Sequence, residues 1–174
     1  VNELTALHEA ITASVKLALP VFETVEAYVP ANQNQTPALP ALIHAITGLK
    51  PSVDPGDGRS CIMATFEARI LVDSSSLQAP SQAVTLAAQV AVLLRKQFWG
   101  LDFVEEARLV EALPVIPIAA MPDAVEWRVQ WEQALYLGSL QWPWPNEPGP
   151  LAFAFSPDTG PGHEGNYQSP EDMA

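Results

Sequence analysis

Five charged residues are the first candidates for chemistry. Glu67 and Arg69 lie in "SCIMATFEARILVD" (60–73), and Glu126, Arg128 and Glu132 in "AVEWRVQWEQALYL" (124–137). General acid–base catalysis by carboxylates needs a pocket that separates their pKa values. Both segments instead alternate with a period of two, the mark of a half-buried strand. Ile62, Ala64, Phe66, Ala68, Ile70 and Val72 share one face of the first. Val125, Trp127, Val129, Trp131, Leu135 and Leu137 share one face of the second. The charges fall on the opposite, open faces. If the two strands pair, these residues form cross-strand ion pairs worth about 0.2–1 kcal/mol each. The spacing favours a charged sheet face, turned to an interface or a lumen, over a catalytic pair.

The remaining chemistry-bearing residues are isolated. His8, His44 and His163 have no second ligand three or four residues away, so metal-site spacing is absent. "GHEGNY" (162–167) has the outline of a zinc-protease motif without its second histidine. His8 borders an amphipathic stripe and reads as half-buried packing; His44 reads as an ordinary sheet-face residue. "DPGDG" (54–58) lacks the oxygen-ligand periodicity and final Glu of a calcium loop and reads as a turn. Cys61 shares a strand face with Met63 and Thr65. There is no G-x-S-x-G, no phosphate-cradling glycine loop and no C-x-x-C. The expectation is a protein without catalytic residues, metal or cofactor.

Composition narrows the partners. A net charge of −12, with eight basic residues among 174, argues against direct nucleic-acid binding, which draws on clustered Lys and Arg. The adjacent Arg95 and Lys96 read as cations in the last turn of a helix, where they complement its dipole. A ring with an acidic inner wall could still pass DNA without gripping it. No apolar run reaches the roughly 18–20 residues of a membrane span, and the N-terminus reads as an amphipathic helix, not a signal peptide. A single cysteine allows no internal disulfide, so a reducing cytoplasm is the expected setting.

The elements that must position these residues follow from periodicity. Leu4, Leu7, Ala10, Ile11, Val15 and Ala18 form a helical stripe over 2–18, closed by Pro20. Strands are predicted at 21–29 and 41–46, separated by the polar loop "PANQNQTPALP" (30–40). A long exposed loop is predicted over 48–60, then the strand 60–73. A helix follows from about Ser81, its N-cap, to Phe98, stopped by Gly100. Its "AVTLAAQVAVLL" is apolar around most of the circumference, so it is expected to be well buried. Residues 102–113 read as a strand that leads through prolines to the strand 124–137. The fold class is α+β: a mixed, mainly antiparallel sheet with two helices on one face, in the order αβββαββ.

Residues 139–174 differ from 1–138. They hold seven prolines, five acids (Glu147, Asp158, Glu164, Glu171, Asp172) and no Lys or Arg. Such a segment has too little apolar content for a core of its own. "WPWP" (142–145) and "LAFAF" (151–155) nonetheless put Trp142, Trp144, Phe153 and Phe155 in extended backbone. Proline stiffens a chain before docking and lowers the ordering cost. The segment reads as an extended arm whose aromatics lie on another protein surface.

Taken together, "NELTALHEAI", "ATFEARILVD", the helix ending "RKQFWGL" and "WRVQWEQALYLG" resemble the tail terminator (tail-completion) family of tailed bacteriophages, over residues 2–138. The resemblance implies a sheet with helices on one side and a homo-oligomeric ring of six subunits. It implies a place at the head-proximal end of the tail tube, where the ring ends tube polymerisation and joins the tail to the neck. The implied partners are the tail tube protein and a neck or connector protein, with no specific nucleic-acid contact and no membrane. The implied location is the virion, after assembly in the host cytoplasm. It brings no catalytic residues. Two other readings stand beside it: another head–tail neck or connector component, and a small-ligand-binding or catalytic α+β domain. A concave pocket holding Glu67, Arg69 and Glu132 would favour the last.

Overall fold

The computed structural model describes residues 3–29, 36–115, 124–140, 152–155, 157 and 159–170. The chain divides into two compact units, Val1–Gln141 and Trp142–Ala174. The first contains helix α1 (Glu3–Ala18), strands β1 (Thr24–Ala27), β2 (Ala41–Pro51) and β3 (Ser60–Asp73), helix α2 (Ala79–Leu94), and strands β4 (Arg108–Pro114) and β5 (Ala124–Leu137). The order is αβββαββ and the fold is α+β, as the periodicity predicts. The five strands form one sheet in the order β1-β2-β3-β5-β4. Only β1 and β2 pair in parallel; the other neighbours are antiparallel.

The two 14-residue strands form the centre of the sheet, in unbroken register from Ser60↔Leu137 to Asp73↔Ala124. Their apolar faces build the core beneath both helices. Leu7, Ile11 and Val15 of α1 and Ala83, Leu86, Ala87, Val90 and Leu94 of α2 close over Phe66, Ile70, Val129, Trp131 and Leu135. Phe66 and Trp131 are register partners and stack with centroids 5.1 Å apart, the offset contact that aromatic cross-strand pairs favour. Trp131 is fully buried, whereas Trp127 is only partly buried at the rim of the core. The Glu3 carboxylate accepts the Gly138 N–H at 3.0 Å and ties the start of α1 to the end of β5.

Several local expectations are corrected. The segment 48–60 is not all loop: β2 runs on to Pro51 past an irregularity at Ile46/Gly48, and the loop to β3 covers only 52–59. β1 is four residues long, not nine. β4 begins at Arg108, after a turn-rich stretch. Helix α2 starts two residues before Ser81, with Gln78 at its N-cap and Pro80 in its first turn, where a missing N–H costs nothing. It ends at Leu94 with Arg95 as its C-cap, so Arg95 and Lys96 follow the last turn rather than lie within it. Residues 95–100 form a tight loop in which Lys96, Trp99 and Gly100 all take positive φ.

The burial of α2 also differs from expectation. One side enters the core, but Ser81, Gln82, Val84, Thr85, Ala88, Gln89 and Val92 are exposed. The sheet lies on one side of the helix only, so the other side is left uncovered by the described residues of the first unit.

In the second unit, Phe153 and Gln168 exchange two backbone hydrogen bonds of 2.8 Å. The chain therefore doubles back within this segment, with a 3-10 turn at Glu164–Asn166 and the Gly160 N–H donating to the Tyr167 hydroxyl at 3.1 Å.

Candidate functional site

The open face of the sheet carries all five sequence-predicted charged residues and brings four of them together. In register, Arg69 lies opposite Arg128, Glu67 opposite Gln130, Thr65 opposite Glu132 and Leu71 opposite Glu126. Like charges directly opposite each other destabilise a ladder, and each arginine is met diagonally by a carboxylate. Arg69 Nη2 donates to Glu126 Oε2 at 2.8 Å, and Arg128 Nη1 lies 3.9 Å from Glu67 Oε2. Gln130 Nε2 donates to the same Glu67 oxygen at 3.1 Å. The forked contact with Glu126 raises the Arg69 pKa above its ordinary value. Glu132 pairs in register with both Thr65 and Arg108 and sits apart from the other four.

A cleft of about 320 Å³ opens on this face beside Tyr28, Ile43, Ala45, Thr47, Glu67 and Arg69. It holds two of the three residues whose shared pocket would favour the ligand-binding reading; Glu132 does not line it. The two charges in it are engaged with Glu126, Arg128 and Gln130.

Beyond the sheet, Asp57 takes Arg59 in a two-point contact, with Nε–Oδ2 at 2.9 Å, which lowers the carboxyl pKa. Asp54 Oδ1 accepts the Cys61 N–H at 2.8 Å. The "DPGDG" carboxylates thus staple the β2–β3 loop, with Gly56 and Gly58 at positive φ, as the turn reading expects. Arg59 also stacks over Tyr136, 5.2 Å from the ring centroid. The Tyr136 hydroxyl donates to Glu105, which raises its pKa.

Two buried polar clusters escaped the sequence reading. Gln133 is 1% exposed on the core face of β5. Its Oε1 accepts the indole N–H groups of Trp99 (2.8 Å) and Trp131 (2.9 Å). Its Nε2 donates to the carbonyls of Gln97 (3.0 Å) and Glu105 (2.8 Å). The amide uses its full capacity and pins the left-handed Trp99 loop to the sheet. The readable signal was an amide at an odd position of an otherwise apolar stripe.

The second cluster is His44, fully buried under α1. It stacks on His8 with centroids 5.3 Å apart and Nδ1–Nδ1 at 3.4 Å, and its Nε2 lies 2.9 Å from Thr12 Oγ1. Burial, then the nearby His8, lowers the His44 pKa to about 4, and burial lowers that of His8. His44 therefore faces the core, and His8 is half-buried as expected. Among the described residues, no group of three or more His, Cys, Asp or Glu side chains is placed to hold a metal ion.

Of the predicted arm residues, Phe153 and Phe155 are exposed, the latter at 77%. Trp142 and Trp144 lie outside the described residues.

The class that fold and site define is a single-sheet α+β domain with a self-paired charged face. No protein-family model matches the sequence, and no curated protein matches it either. A solved structure of 12% sequence identity overlaps 78% of this chain and 94% of its own with a TM-score of 0.45. A likeness at that level carries no argument about function.

Proposed function

We propose that the chain is a structural subunit of a tailed-phage particle, a tail terminator that forms a homo-oligomeric ring at the head-proximal end of the tail tube. The ring ends tube polymerisation and meets a neck protein on its other side. The observation that carries this reading is the αβββαββ order with both helices on one face of a single sheet, the arrangement the sequence resemblance implies. The open face supports it, because Arg69 with Glu126 and Arg128 with Glu67 face each other across the strands, the pattern of a structural charged face. The exposed Phe153 and Phe155 supply apolar contacts of the kind that anchor interfaces.

The test is to polymerise tail tube protein with and without this chain and image the products. Rings seated at tube ends and tubes of limited length are expected. Tubes of unchanged length with bare ends would sink the terminator role. A ring that binds the neck side alone would move the chain to another connector position.

A further inference from the structure

We propose that the outer face of α2 is the surface on which a second copy of this chain docks; the inference rests on the self-assembly reading above and deepens it. The observation is a mismatch between the helix and its surroundings. A helix packed on one side of a sheet ordinarily turns charged residues to water. Ala79–Leu94 has none, although the chain as a whole is 16% charged. Ser81, Val84, Thr85, Ala88 and Val92 recur at three- and four-residue intervals along its exposed side. Val92 is 73% exposed and Val84 41%; Leu77 is fully exposed just before the helix, and Phe98 46% exposed just after it. Isolated exposed apolar residues are ordinary. An uncharged face running the length of a 16-residue helix, with larger apolar groups near both ends, is not. A groove of about 800 Å³ continues the surface towards Leu19 and Val21 at the end of α1, also with no charged residue in its lining.

Charge selects the occupant. Nucleic acid or an anionic membrane would be met by Lys and Arg, and a basic protein by Asp and Glu. The helix itself offers neither, and the exposed Arg95 and Lys96 just past its end are two cations, not the clustered basic surface that phosphates need. Two copies, each at −12, repel wherever acidic surfaces meet. Other described surfaces of the first unit carry charge: Glu67, Arg69, Glu126 and Arg128 on the sheet, Glu9 and Lys16 on α1, Asp57 and Arg59 on the β2–β3 loop. Here identical chains can approach without placing like charges together. The polar groups on the face suit that use, because Gln82 and Gln89 each donate and accept through one amide and can pair with their own kind. Ser81 and Ala88 are small enough to admit helices at the 8–10 Å of close packing.

The experiment compares the full-length chain with Ala88→Glu/Val92→Glu by sedimentation velocity over a concentration series, with circular dichroism as the check on folding. Both positions are exposed, so the variant keeps its fold. Like charges forced together across an interface weaken it strongly, so association should fall by more than about tenfold. Leu49→Glu, an exposed apolar position on β2, should leave association unchanged. A wild-type assembly matched by an equally assembled double variant would overturn the α2 surface and leave the self-assembly reading standing. A wild-type chain that is monomeric throughout would overturn both. Dissociation by Leu49→Glu alone would place the contact elsewhere and overturn the proposal.

Discussion

Replacing Gln133 with leucine keeps the volume of the side chain and removes four hydrogen bonds at once. The two indole N–H groups of Trp99 and Trp131 lose the acceptor they share, and the Glu105 carbonyl loses its side-chain donor. The Gln97 carbonyl retains the Ala107 N–H at 3.3 Å. A buried polar group left without a partner costs about 1–3 kcal/mol, so the two indoles alone set a loss of roughly 2–6 kcal/mol. The apolar leucine recovers about 1 kcal/mol of this, for a net cost of about 1–5 kcal/mol centred near 3, a large part of the roughly 5–15 kcal/mol of a domain. The assay is urea unfolding followed by tryptophan fluorescence and far-UV circular dichroism. With a slope of about 2 kcal/mol/M, the midpoint should fall by roughly 1.5 M. A fall of under about 0.5 M at unchanged slope would refute the claim that Gln133 holds the Trp99 loop to the sheet.

Three further outcomes are expected. His44 has a folded pKa of about 4 against an unfolded value of 6.5, so the unfolded chain binds more protons between them. Its contribution is present above about pH 6.5 and fades as pH falls towards 4, by about 3 kcal/mol at the lower end. Urea midpoints at pH 7.5 and 5 should differ in the native chain and less in His44→Gln; equal native midpoints would contradict this. Glu126→Gln leaves Arg69 facing Arg128 without its diagonal carboxylate. It should cost up to about 1 kcal/mol, less in high salt, because Arg69 is half-exposed; a loss that salt does not alter would count against the ion pair. Truncation after Gln141 removes the second unit whole. It should leave the urea midpoint within about 0.5 M of the full chain while weakening assembly, and a markedly lower midpoint for the monomer would assign the arm to its own subunit's core.

The parts of the fold legible in sequence were those governed by one strong periodicity. The strands 60–73 and 124–137 match residue for residue, because alternation over 14 positions leaves little freedom of register. The end of α2 was illegible because Arg95, Lys96 and Gln97 are good helix formers and the first clear stop signal is Gly100. The chain there is bent by burial of the Trp99 ring and its bond to Gln133, contacts 34 residues apart in sequence. The tail of β2 was hidden by the turn-like residues Gly48 and Pro51, which pair with β3 across an irregularity. The charged face was readable as a face, since alternation places it. Its diagonal pairing depended on strand register, which only the antiparallel partner sets. The exposed side of α2 was missed for a different reason: an apolar helix predicts burial without saying by which chain.

The most direct test of the account is the native mass of the full-length chain in solution. A ring of six predicts about 113 kDa, six times the 18.8 kDa of one chain. A single species at 18.8 kDa across the concentration range would contradict the assembly on which the proposed function depends.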